Sequence, residues 1–273
     1  MPVYLAYRTN GRAMTENIHG TQVSYEIMGE GNNRVLLLHG WGCDKSMMQP
    51  VADALKNEHR LLLPDFPGHG KSGRPPEPWG VQDYSECIKE LITHTGFAPC
   101  SVIAHSFGCR VATWLAANDP GLFEKMIFTG AAGIRPKPTE ESERRSREFK
   151  RLKGYCEQAK KISFLRAPAG RWEEKLRQKY GSRDYNALDE EMRKTFVKVI
   201  SQDLSDLYPK FRQSTLLIWG DADTETPLWM GKQMEKLIPD AGLVILEGGT
   251  HFAYLEQAGR FDVIAQHFLK EDA

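Results

Sequence analysis

The sequence predicts an α/β fold: a mostly parallel central sheet with helices on both faces and a helical insertion between two strands. Three observations predict it. Short apolar runs such as Val35-Leu-Leu-Leu and Thr215-Leu-Leu-Ile-Trp recur along the chain, as in strands buried on both faces. Amphipathic stretches separate most of them, which is the pattern of repeated strand–helix units. Between Phe128 and Leu216 this alternation stops, and the chain becomes polar, charged and helical in pattern.

Asn17-Ile-His-Gly-Thr-Gln-Val-Ser-Tyr-Glu-Ile-Met-Gly reads as a hairpin. Gly20-Thr21 is its expected turn, and Val23, Tyr25 and Ile27 alternate beyond it. Val35–Leu38 is the first buried strand. The glycine-rich loop His39-Gly-Trp-Gly leaves it, and Met47–Lys56 is the next helix. Arg60–Leu63 is a strand, followed by Asp65-Phe-Pro-Gly-His-Gly-Lys-Ser-Gly. This loop superficially matches a phosphate cradle. The pattern G-x-x-x-x-G-K-S/T needs glycine where Asp65 stands, so the loop reads as a structural turn. Val81–Thr95 is amphipathic. Ser101-Val-Ile-Ala is a strand that runs through His105 into Ser106, and Cys109–Asn118 is the helix beyond. Lys125-Met-Ile-Phe-Thr is the last strand before the break.

Residues 134–210 form the expected helical insertion, and 1–133 with 211–273 form the core around it. Thr139 opens the first inserted helix as N-cap, with acids in its first turn. The charges of that helix read as a solvated face. Asp189 opens a second helix with Met192, Phe196, Val199 and Ile200 on one side. The aromatics Tyr155, Phe164, Trp172, Tyr180, Tyr185 and Phe196 have two readings, as the lining of an apolar pocket or as internal packing. The sheet then resumes at Thr215–Trp219 and Leu243–Leu246, with helices at Leu228–Leu237 and Ala258–Leu269.

Composition sets limits on function. A chain of 273 residues buries about three quarters of its unfolded surface and needs no disulfide or metal to fold. Lys plus Arg equals Asp plus Glu at 36 each, so no global basic field draws nucleic acid or an anionic membrane. Neither is an expected partner. The five cysteines are widely spaced and form no C-x-x-C pair, which predicts reduced thiols in a cytoplasmic protein with no zinc site. Met1–Met14 lacks the basic-then-apolar pattern of a secretory leader. No apolar run is long enough to span a bilayer. Met14 offers an alternative start, in which case residues 1–13 are a disordered extension.

Ser106 stands between a strand and a helix in Ala104-His-Ser-Phe-Gly. A serine on such a sharp turn is lifted clear of the backbone, but it is a weak nucleophile without a base, an orienting acid and oxyanion donors. The chain supplies candidates at strand ends, where open parallel sheets build their sites. His251, on a short glycine-rich loop after the last strand, is the favoured base among eight histidines. Asp223 is the candidate acid. Asp221 is its rival and reads as a turn-former, and Glu225 is third. The loop His39–Gly42 offers the Trp41 N–H to converge with that of Phe107 on one oxygen. The side chains of Trp41 and Phe107 flank that point as substrate contacts. His39 also ends a strand within reach of the site, or braces the loop by a hydrogen bond.

Together these residues resemble the α/β-hydrolase superfamily. The resemblance runs from about Ile18 to Leu269, apart from the insertion. It rests on Leu36-Leu-Leu-His-Gly-Trp-Gly, Asp65-Phe-Pro-Gly-His-Gly-Lys-Ser, Ala104-His-Ser-Phe-Gly, Gly220-Asp-Ala-Asp-Thr-Glu-Thr-Pro and Gly249-Thr-His-Phe. The chain order is nucleophile, acid, histidine, as that fold uses. The resemblance implies Ser106 as nucleophile, His251 as base, Asp223 as orienting acid and the Trp41 and Phe107 amides as oxyanion hole. It also implies that the insertion is a cap, or lid. One departure is Ala104 in place of the first elbow glycine, at a position that must stay small. Serine rather than aspartate at 106 argues against chemistry through an alkyl-enzyme ester. The expected activity is cleavage of a small carboxylic ester through an acyl-enzyme, with no metal or organic cofactor. The same parts serve lactonases, thioesterases and carbon–carbon bond hydrolases, and some members of the fold are non-catalytic ligand receptors.

Overall fold

The computed structural model describes residues 12–137 and 139–270. Eight strands form one sheet in the order β1-β2-β4-β3-β5-β6-β7-β8. They are β1 Arg12–Ile18, β2 Thr21–Met28, β3 Asn33–Leu38, β4 His59–Pro64, β5 Cys100–His105, β6 Phe123–Thr129, β7 Ser214–Gly220 and β8 Ala241–Leu246. β1 and β2 pair antiparallel, β2 meets β4 antiparallel, and every later pairing is parallel. The chain leaves β3 for β4 on one side, then returns to place β5 on the other. The crevice at such a reversal, beyond the carboxyl ends of the strands, is where ligands bind in open α/β sheets.

The helices of the sheet region are α1 Gln49–Leu55, α2 Val81–His94 and α3 Phe107–Asn118, then α8 Leu228–Leu237, α9 Ala253–Glu256 and α10 Ala258–Leu269. Between them in the chain lie α4 Glu140–Ala159, α5 Arg166–Tyr180, α6 Arg183–Ala187 and α7 Glu190–Ile200. Side chains alternate across the sheet with period two. Leu36, Leu38, Val102, Ala104, Met126 and Phe128 pack with α2, α3 and α8 on one face. Val35, Leu37, Ile103, Ile127 and Ile218 pack with α1, α9 and α10 on the other. Both faces are therefore buried, which explains the uninterrupted apolar runs.

The described residues divide into two compact units. The larger runs to Arg135 and resumes at Lys198, and the smaller is Pro136–Val197. The smaller is helical. Thr139 caps α4 through its hydroxyl, which accepts the Ser142 N–H, with Glu140, Glu141 and Glu143 in the first turn. Of the four residues expected on one side of this helix, Met192, Phe196 and Val199 are buried on α7 and Ile200 is exposed. Residues 198–210 pack in the larger unit: Val199, Leu204 and Tyr208 join its core, and the Leu204 N–H donates to Gly133 O at 2.9 Å.

Two expectations near the N-terminus need correction. The hairpin turn is His19-Gly20, one residue earlier than read, because Thr21 already pairs with Ile18. His19 takes a left-handed φ of 50°, which few side chains adopt and no sequence pattern announces. The expected N-terminal extension lies outside the described residues up to residue 11. Arg12 and Ala13 are ordered in β1, opposite Ile27 and Glu26. Among the described residues, no helix is long and apolar enough to cross a membrane.

Candidate active site

β5 is buried along its whole length and delivers the chain to Ser106. Ser106 has φ 49° and ψ −106°, a conformation that costs about 1–3 kcal/mol in a residue with a side chain. Its neighbours hold it there. The Ser106 N–H donates to Thr129 O at 3.1 Å, and Ser106 O accepts the Cys109 N–H at 3.1 Å and the Ala132 N–H at 3.3 Å. The second elbow glycine is required by a close approach: a Cβ on Gly108 would lie 2.7 Å from Leu38 O. Ala104 fits in the first position, fully buried on β5.

His251 and Asp223 come from loops after β8 and β7, brought beside β5 by the sheet order. His251 Nε2 lies 3.0 Å from Ser106 Oγ, and His251 Nδ1 lies 2.8 Å from Asp223 Oδ2. Asp223 is buried. Its Oδ1 accepts the N–H groups of Glu225 at 2.8 Å and Thr226 at 2.9 Å. Burial pushes the Asp223 carboxyl up, but the hydrogen bond and charge of His251 and the donors of Thr226 outweigh it and hold the group below its ordinary range. Asp221 points elsewhere: its carboxylate accepts the Gly248 N–H at 2.7 Å, as a loop-former does. Glu225 is exposed.

Two contributors escaped the sequence reading. The Thr226 hydroxyl donates to Asp223 Oδ2 at 2.8 Å and stands 3.2 Å from His251 Nδ1. Trp219 Nε1 fixes this residue by donating to Thr226 O at 2.7 Å. The signal was present as an Asp followed at two and three residues by its own backbone donors, a common turn form. Gly130, just past β6, is the other. A Cβ there would lie 3.1 Å from His251 Nδ1, so the absent side chain makes room for the imidazole.

The register of β3 on β5 sets Leu38 beside Ala104. Trp41 and Phe107 each lie three residues further on, in the turn after β3 and at the start of α3. Phe107 is also the first residue of α3, so its N–H has no acceptor one turn back, and the positive end of the helix dipole faces Ser106. The Trp41 ring is half-buried and meets the Phe107 ring edge-on at 5.2 Å. The Phe107 ring itself is buried, packed against Phe66 and Tyr84.

His39 is not a substrate contact. It is fully buried, and its Nε2 accepts the Phe66 N–H at 3.1 Å. Nδ1 therefore carries the proton and donates to Gly40 O at 2.8 Å. Both nitrogens are used in bracing the loop. The loop at 65–73 also serves this framework. It folds around the buried Asp65 carboxylate, which accepts the backbone N–H groups of Lys45 at 2.8 Å and Lys71 at 2.9 Å and the Lys45 ammonium at 2.6 Å. His105 lies beside His251, with ring centroids 4.7 Å apart and planes tilted by 52°, and its Nδ1 donates to Thr129 O at 3.1 Å. Among the described residues, no group of three or more His, Cys, Asp or Glu is arranged to hold a metal ion.

Three histidines around the site resist protonation, chiefly because they are buried. His39 lies below its ordinary value of 6.5, His69 is pushed down to about 3, and His105 lies well below. Below pH 6.5 these three rings therefore bind more protons in the unfolded chain than in the folded one. Stability present at neutral pH is lost as pH falls, by up to about 1.4 kcal/mol per pH unit for each such ring. Thermal melts between about pH 7 and pH 5 should show Tm falling, and less steeply in His69→Gln. A Tm flat across that range would contradict this.

Comparison with known proteins places these features in context. A family model described as "Alpha/beta hydrolase family" matches residues 35–262. An uncharacterized Mycobacterium tuberculosis protein is 28% identical over 117 residues, covering 43% of this chain and 34% of that protein. The chain thus spans about a third of that relative's length. A pimeloyl-(acyl-carrier protein) methyl ester esterase from Vibrio vulnificus is 24% identical over 255 residues, covering 88% of this chain and 95% of that protein. Among solved structures, the enol-lactonase from Burkholderia xenovorans aligns with a TM-score of 0.72 at 22% identity, covering 94% of this chain and 100% of that one.

Proposed function

Since the chain belongs to the alpha/beta hydrolase family, we propose that it hydrolyses small carboxylic esters through an acyl-enzyme on Ser106. The observation that carries this reading is the unbroken chain Asp223–His251–Ser106, at 2.8 and 3.0 Å. As Ser106 Oγ attacks the ester carbonyl carbon, His251 Nε2 takes its proton. The carbonyl oxygen becomes an anion held by the Trp41 and Phe107 amides, at the positive end of α3. Collapse expels the alcohol, which leaves with the proton from His251. Water then attacks the acyl-enzyme, giving its proton to His251 Nε2, and the acid departs as Ser106 recovers the proton. Asp223 keeps the Nδ1 proton in place and balances the imidazolium charge. The Trp41 ring is the side chain best placed to touch substrate.

The test is a fluorophosphonate probe, with turnover measured on short p-nitrophenyl esters, lactones, thioesters and amides. Labelling at Ser106 with fastest turnover of an ester is the expected result. Labelling without turnover of any of them would mark a ligand receptor instead, and lactone turnover above ester turnover would move the reading to a lactonase.

Thr226 tunes this arrangement. Its hydroxyl donates to the same carboxylate oxygen that receives His251 Nδ1–H. Thr226→Val keeps the shape and removes the donor, and should lower kcat by about tenfold, the worth of one hydrogen bond to a charged group. Thr226→Ser should stay near wild type. Equal loss in both variants would assign the residue to packing.

A further inference from the structure

We propose that the turn joining α4 to α5 docks on an anionic lipid surface. The 36 cations and 36 carboxylates cancel over the whole chain, but they are unevenly spread. Residues 136–197 hold seventeen Lys and Arg against eleven Asp and Glu, and the rest of the chain carries the opposite excess. The imbalance sharpens at the turn. From Gln158 to Trp172 there are four cations, Lys160, Lys161, Arg166 and Arg171, and no carboxylate. Lys160 is engaged by Glu173, buried on α5. Lys161, Arg166 and Arg171 face solvent.

The same turn exposes its apolar side chains. Phe164 is 78% exposed, Trp172 61% and Ile162 47%, and no residue of the short helical turn Ser163–Leu165 is buried. Isolated exposed apolar residues are ordinary. Here they share one hairpin tip with three exposed cations, of which Arg166 also donates from Nε to Lys160 O at 3.4 Å. An acidic protein or a nucleic acid would engage the cations without needing Ile162 and Phe164. A bilayer interface accepts both: the apolar groups enter the acyl boundary while the cations reach headgroup phosphates. Each cation held at an anionic leaflet strengthens partitioning by about fivefold. The overall charge balance conceals this regional asymmetry, and the surface stands whichever bond Ser106 attacks.

Flotation of the full chain with vesicles tests it, using phosphatidylcholine alone or with about one third phosphatidylglycerol. The wild type should float with the mixed vesicles at least about tenfold better than with the neutral ones, and added salt should release it. The pairs Ile162→Ser with Phe164→Ser, and Lys161→Glu with Arg171→Glu, should each lose at least about tenfold of that binding. These side chains are exposed, so both variants should keep the wild-type Tm. The single Phe164→Ser replaces a pair that melts early. Binding no better to anionic than to neutral vesicles overturns the proposal, and so does wild-type flotation of folded variants of both kinds.

Discussion

Alanine at Ser106 should lower kcat on a short p-nitrophenyl ester by about 10⁶-fold, by the precedent of other triads. The fold should survive, because the backbone bonds that hold the elbow, to Thr129, Cys109 and Ala132, involve no side-chain atom of Ser106. Alanine meets the same left-handed φ of 49° that serine already endures. What disappears is Oγ, the partner of His251 Nε2 at 3.0 Å. The residual rate, about 10³–10⁴ above water, would come from the oxyanion amides and from binding. Steady-state kinetics alongside a thermal melt make the measurement. Turnover within about tenfold of wild type, in a folded variant, would remove Ser106 from the chemistry.

Asparagine at Asp223 should lower kcat by about 10⁴-fold near neutral pH, and the surrounding bonds say why. Oδ1 accepts two backbone N–H groups, from Glu225 and Thr226. An amide can satisfy them only with its oxygen, so its NH₂ must take the place of Oδ2. There it faces His251 Nδ1, 2.8 Å away in the wild type, as a donor. The imidazole then keeps its proton on Nε2, aimed at Ser106 Oγ, and has no lone pair with which to accept the serine proton. Nitrogen NMR of His251 should record the proton moving from Nδ1 to Nε2. A variant with nearly full activity would hand the orienting role to Asp221 or Glu225.

Much of this was legible in the sequence because the underlying physics is local. Strands buried on both faces need continuous apolar runs, so β3, β5, β6 and β7 were readable directly. The elbow was readable from small residues at 104 and 108, which the close approach of Leu38 O to Gly108 explains. What escaped depends on contacts between distant segments. Whether His39 reaches substrate or braces its loop depends on the Phe66 N–H, twenty-seven residues away. Thr226 does not titrate, and only the folded loop shows that its hydroxyl meets the acid. Gly130 looks like any strand-end glycine until His251 arrives beside it. The hairpin turn slipped by one residue because His19 takes a backbone angle usually left to glycine. Ile200 follows the helical period of its neighbours, yet lies exposed where α7 ends.

The sheet order also draws the candidate site from distant parts of the chain. The serine elbow and the proposed oxyanion amides follow β3 and β5, both complete within the first 107 residues. The proposed base and acid follow β8 and β7, later in the chain than the helical unit, and the pairing of β7 with β6 helps bring them to the serine. On the proposed mechanism the site is thus split across the chain, with the nucleophile before the helical unit and its base and acid after it.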